Sequence, residues 1–175
     1  QKEKLDTING LDQVKKYVVG SLRCKSYPNH QKLFRKKNKK IKTISFAFGY
    51  NENNYQSIID ELTILDEKIT IFLFFHPLNY NFKAKLNKKK NIICKYKRDN
   101  QLIEKSDLLI VDDNSMMIEG WTLGVPTIIY DSDEYNLTKR DWSSPILHIT
   151  KETIKNLETE SFVIDLNKSI ESYLK

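Results

Sequence analysis

SDLLIVDDNSMMIEGWTLGVPTIIYD, residues 106–131, is the stretch that decides the fold. Two apolar runs, LLIV and TIIY, show no polar alternation, which marks strands buried on both faces of a parallel sheet. Between them lies a segment with Met116, Ile118, Trp121 and Leu123 at helical spacing, preceded by DDNS and stopped at Gly124. This is one strand–helix–strand unit. The acids, amide and hydroxyl at its junction fit an ordinary helix cap. They also fit the lip of a ligand site, because ligands of parallel sheets sit at the carboxyl ends of strands.

Working outward, further apolar runs occur at 43–49 (TISFAFG), 68–75 (KITIFLFF), 91–96 (NIICKY) and 145–150 (PILHIT). Helical spacing appears over 53–65, where Ile58, Ile59, Leu62 and Leu65 share one face, and Thr150 fits an N-cap for KETIKNLE. A closing helix is expected from SFVIDLNKSIESYL. The fold class is therefore α/β: a three-layer, doubly wound parallel sheet with a Rossmann-like order. Residues 43–175 form the expected domain. Residues 1–42, with one short apolar run (YVVG), read as an N-terminal extension and linker.

Composition narrows the function classes. The chain has 175 residues, 39% hydrophobic and 30% charged, which suits one soluble globular domain. No apolar run approaches the ~20 residues of a membrane-spanning helix, and the polar N-terminus does not read as a signal peptide. A cytoplasmic location is expected, with peripheral membrane association left open. The net charge of +6 is concentrated in RKKNKKIK (35–42) and KAKLNKKK (83–90). Neither run is interleaved with aromatics, so both read as solvated surface and no nucleic-acid partner is expected. Cys24 and Cys94 read as free thiols. His30, His76 and His148 lack metal-ligand spacing, so no metal and no resident cofactor are expected.

If strand 43–49 is the first of a 3-2-1-4-5 order, the order reverses between it and strand 106–112. Three polar strand ends then meet on one rim: Gly49 to Asn54, His76-Pro77, and Asp112 to Ser115. Gly49 allows close backbone approach. Glu119 lies one turn beyond Ser115 on the same helix face, where a carboxylate can accept both ribose hydroxyls. Asp112 and Asp113 suit a phosphate site poorly unless they face away or cap the helix. Tyr50 and Trp121 read as packing residues when judged locally.

The order of motifs resembles the C-terminal, donor-binding domain of GT-B-type enzymes of surface-polysaccharide synthesis, over residues 17–135. In the non-hydrolysing UDP-N-acetylglucosamine 2-epimerases the series is H-R-x-E-N, H-x-N-P, then D-S-G-G-x-Q-E-E before L-G-x-P. This chain has GYNENN, FFHPLNYN and DDNSMMIEGWTLGVP. In the CDP-glycerol glycerophosphotransferases it is H-P, S-D-x-L-I-T-D-Y-S-S, then x-K-P-I-I-F-Y. Here FFHP, SDLLIVDDNS and GVPTIIYDSDEY follow that order, and VVGSLR resembles the start of the domain.

By this resemblance His76 is the catalytic candidate at the departing phosphate. Gly49, Tyr50, Glu52, Asn53, Asn114, Ser115, Met116 and Glu119 are the nucleotide-binding candidates, with Glu119 on the ribose. The implied substrate is a UDP- or CDP-activated sugar or polyol. Departures exist: Gly49-Tyr50 replaces the His-Arg of the epimerases and Asn114-Ser115 their Gly-Gly, while of the Ser-Ser pair of the glycerophosphotransferases the first is Asn114 and the second survives as Ser115. GT-B enzymes also have two Rossmann-like halves, and this sequence holds one. The expectation is a transferase half that needs an N-terminal half from the same parent protein or a partner chain. An epimerase-like domain and a non-catalytic interaction module are the alternatives.

Overall fold

The computed structural model describes residues 40–112, 116–130, 148–149, 154–159 and 162. The N-terminal region with YVVG, the Thr150 cap and all but Phe162 of the expected closing helix lie outside these residues.

Six strands form one parallel sheet: β1 (Thr43–Ala47), β2 (Thr70–Phe74), β3 (Ile92–Lys95), β4 (Leu108–Val111), β5 (Thr127–Tyr130) and β6 (His148–Ile149). Their order is β3-β2-β1-β4-β5-β6. The chain winds outward from β1 in one direction, then returns to place β4 on its other side. The reversal therefore falls between β1 and β4, where the supposed 3-2-1-4-5 order puts it. β1, β2 and β3 are shorter than their apolar runs, although Phe48 and Phe75 still donate ladder bonds, to Phe74 (3.0 Å) and Lys95 (3.1 Å), while β4 and β5 coincide with LLIV and TIIY.

Side chains alternate across the sheet, which is why the runs carry no polar face. Ile44, Phe46, Phe48, Ile71, Leu73, Leu108, Ile110 and Ile128 enter one core, covered by α1 (Tyr55–Leu62) and by Ile154 and Leu157. Ala47, Phe74, Leu109, Val111 and Ile129 enter the other. That second face is covered by α2 (Asn100–Lys105) through Ile103 and by α3 (Met116–Thr122) through Met117. The result is three layers.

Two local expectations change, and one connection departs from the strand–helix–strand pattern. The helix expected at 53–65 begins as a 3₁₀ turn over Glu52–Asn54, capped by the Asn51 side chain, before α1 proper. KETIKNLE contributes a 3₁₀ turn, Ile154–Glu158, whose i, i+3 spacing turns Ile154 and Leu157 to the same side. The β2–β3 connection carries no α-helix. After a turn at Pro77–Asn79 it runs extended, with Phe82, Ala84 and Leu86 half-buried against the first core while Lys83 and Lys85 face solvent. The basic run here is solvated surface, but its alternate residues replace a helix as the cover of the sheet. Cys94 on β3 is a half-buried free thiol whose pKa is raised by burial; Cys24 lies outside the described residues.

At the amino end of the sheet, Asp107 clamps the start of β1. Its Oδ2 accepts from the backbone N–H of Lys42 (2.9 Å) and Thr43 (3.0 Å). The polar work at the carboxyl end is different in kind.

Candidate functional site

The carboxyl ends of β1, β2, β3 and β4 carry Gly49, His76, Arg98 and Asp112 respectively. Gly49 lies against β4. A methyl group on it would sit 2.8 Å from the Asp112 carbonyl oxygen, inside van der Waals contact. The Gly49 N–H points at Asp112 Oδ2 over 3.4 Å. The Asp112 carboxylate thus turns toward the β1 end, beside Gly49.

Tyr55 ties this end to the next. Its ring is fully buried among Phe48, Phe75 and Phe82, with ring centroids 4.5 to 5.6 Å from its own. Its hydroxyl donates to the Gly49 carbonyl and accepts from Asn79 Nδ2 at 2.8 Å. The same Asn79 amide donates to the Tyr50 carbonyl at 2.7 Å. Burial pushes the Tyr55 phenol pKa up, and the bonds to Asn79 and to the His76 backbone pull it partly back. The loops after β1 and β2 are therefore held to each other through one phenol and one amide.

His76 is half-buried and extended, at φ −61° and ψ 138°, with Pro77 at the first position of the following turn. Pro favours such a backbone in the residue before it. The ring caps that turn: Nδ1 accepts the Leu78 N–H at 3.3 Å. An accepting Nδ1 carries no proton, so in the neutral ring the proton is on Nε2. Nε2 is then the ring's donor, on the side of the imidazole that the Leu78 bond leaves unused.

Glu119 is buried (3% exposed) in α3 and forms an ion pair with Arg98. The helix reaches the sheet this closely because residue 120 is glycine. A methyl group there would lie 2.3 Å from Thr127 Oγ1 and 2.5 Å from Leu109 Cδ2. The helix ends in a Schellman arrangement. Gly124 has φ 72°, and Val125 N–H returns to the Gly120 carbonyl at 3.0 Å.

The remaining candidates divide as follows. Glu52 and Asn53 are exposed in the 3₁₀ turn. Tyr50 is 62% exposed and lies outside the buried core, whereas its local reading is packing. Met116 is half-buried against the second core, with Met117 below it. Asn114 and Ser115, with Asp113, lie outside the described residues, as does the side chain of Trp121. Among the described residues no group of three His, Cys, Asp or Glu is arranged to hold a metal ion. No helix among them is long and apolar enough to cross a membrane.

Sequence reasoning missed Arg98, Tyr55, Asn79 and Gly120. For Arg98 the signal was available: it follows a strand, as Gly49 and His76 do, and belongs to the same rim.

No family model matches the chain, and no curated protein matches it by sequence. Solved structures do match. The wall teichoic acid polymerase TagF aligns with a TM-score of 0.54 at 17% identity, covering 86% of this chain and 41% of that one. A variant of TagF soaked for 30 minutes with CDPG aligns with a TM-score of 0.54 at 18% identity, covering 86% and 40%. The chain thus spans about two-fifths of the length of the structures it matches. By fold, it is similar to one Rossmann-like half of a GT-B-type transferase.

Proposed function

We propose that this chain is the donor nucleotide-binding half of a GT-B-type transferase of surface-polysaccharide synthesis, acting on a nucleotide-activated sugar or polyol. The observation that carries the reading is the gathering of Gly49, His76 and the Arg98–Glu119 pair at the carboxyl ends of the strands, around the reversal between β1 and β4. A fold shared with a polymerase that has been soaked with CDPG supports it.

In this reading His76 Nε2–H donates to the departing phosphate, which stabilises the charge as the bond to the sugar or polyol breaks. Gly49 lets the backbone approach the phosphates. Asn114 and Ser115 hold them, Tyr50 lies against the base, and Glu119 accepts the ribose hydroxyls. Glu52, Asn53 and Met116 complete the rim. The acceptor belongs to a second half, from the same parent protein or a partner chain, and transfer requires it. The work takes place in the cytoplasm, at the inner face of the membrane.

The test is calorimetric titration of the chain with CMP, CDP, UMP and UDP. Binding with a Kd of about 1 mM or tighter, some 4 kcal/mol of affinity, is the expected result for at least one diphosphate. No binding by any of the four overturns the reading. A preference for CDP supports the polyol-transfer branch, and a preference for UDP moves the assignment toward the 2-epimerases.

A further inference from the structure

The ion pair between Arg98 and Glu119 joins two elements that the sheet separates. Arg98 follows β3, an edge strand, and Glu119 belongs to α3, beyond β4. The link is possible because α2, which follows Arg98, packs against β1 and draws the loop across the carboxyl edge. The loop is itself fixed. Asp99 caps α2 by accepting the Leu102 N–H at 3.1 Å, and Arg98 Nε donates to Asn100 Oδ1 at 2.5 Å.

The partners differ in exposure: the Glu119 side chain is 4% exposed and that of Arg98 is 40%. A carboxylate so deep needs an opposing charge. Here the charge comes from a side chain that also reaches solvent at the rim. A guanidinium is planar and directional, so it fixes the orientation of a carboxylate, whereas an ammonium can pivot.

We propose that Arg98 is a positioning residue for ribose recognition. It aims the Glu119 carboxylate at the two hydroxyls of a nucleotide ribose and so sets a preference for ribonucleotides over 2′-deoxyribonucleotides. This rests on the nucleotide reading of the site. A ribose presents two adjacent O–H donors, and a carboxylate held in one plane by its partner can accept both at no further ordering cost. A 2′-deoxyribose presents one.

The test is calorimetric titration of the 175-residue chain and its variants with CDP, 2′-deoxy-CDP, UDP and 2′-deoxy-UDP, with circular dichroism as the check on folding. The wild type should prefer the ribonucleotide by roughly tenfold, the worth of one hydrogen bond to a charged acceptor. Arg98→Ala should bring the ratio to within about twofold of unity, with Arg98→Lys intermediate. Glu119→Gln should lose the ratio as well, and adding Arg98→Lys to it should change the ratio no further. If Arg98→Ala does not fold, Arg98→Lys alone decides.

Variants that weaken both ligands equally and keep the ratio would show a structural ion pair and overturn the proposal. A wild type that binds nucleotides without the preference would also overturn it, leaving the nucleotide reading standing. A wild type that binds none of the four overturns the nucleotide reading and this proposal with it.

Discussion

Replacing Gly120 by alanine sets two effects of opposite sign against each other. On an exposed helix face the change stabilises by about 1 kcal/mol through helix propensity. At this position the new methyl carbon would lie 2.3 Å from Thr127 Oγ1 and 2.5 Å from Leu109 Cδ2. Non-bonded heavy atoms settle at about 3.5 Å, so α3 must lift by about 1 Å or Thr127 must turn. Thr127 is β-branched and sits in a strand, which restricts its rotamers. Its hydroxyl donates to the Val125 carbonyl at 2.9 Å, a buried bond worth about 1 kcal/mol. Overpacking of this kind costs about 1–3 kcal/mol. Steric cost and lost hydrogen bond outweigh propensity, and the net effect is a destabilisation of about 2 kcal/mol. For a chain of 175 residues that lowers Tm by about 4–8 °C, readable by circular dichroism. Adding Thr127→Ala removes the Thr127 part of the clash and leaves that with Leu109, so the double variant should be more stable than the summed single effects by about 1 kcal/mol. A Gly120→Ala chain as stable as the wild type, or more so, refutes the close helix–sheet contact on which the placement of Glu119 depends.

Tyr55→Phe should destabilise by about 1–3 kcal/mol, since it strands the Gly49 carbonyl and one contact of the Asn79 amide. It should also change the alkaline limb of the stability curve. The folded phenol holds its proton to higher pH than the unfolded one. Stability therefore falls as pH rises above about 10, and this part of the fall should vanish in the phenylalanine variant, as followed by denaturant titration across pH 9 to 12. Asp107→Ala should lose about 1–2 kcal/mol in urea unfolding, through two backbone donors at the opposite end of the sheet. Nucleotide affinity should be unchanged in that variant.

The strands were legible because burial on both faces leaves a plain apolar run, and the order reversal followed once a 3-2-1-4-5 order was supposed for them. Helix α2 was not legible. It has six residues, and only Leu102 and Ile103 within it are apolar, too few to show a period. The β2–β3 crossover hid its role in the same way: Phe82, Ala84 and Leu86 alternate with charges in a segment that reads as solvated lysine surface. At the site, Gly49 could be read as a point of close approach because glycine has that use, but not what approaches it, since Asp112 is 63 residues away. Glu119 was visible through its motif. Its pairing with Arg98 was not, because the two residues meet only through the way α2 and α3 pack on the sheet. Tyr50 misled in the other direction. An aromatic residue at a strand end suggests packing, yet the neighbouring Phe48, Tyr55, Phe75 and Phe82 fill that space and leave it exposed.

The most direct test of the central claim, a nucleotide site at the carboxyl edge, is an amide NMR titration of the chain with CDP and UDP. The account predicts shifts at Gly49, Leu78, Asn79, Arg98 and Met116 to Gly120, with Lys42, Thr43 and Asp107 at the opposite edge unmoved. Shifts gathered at the amino edge, or none at millimolar nucleotide, would contradict it.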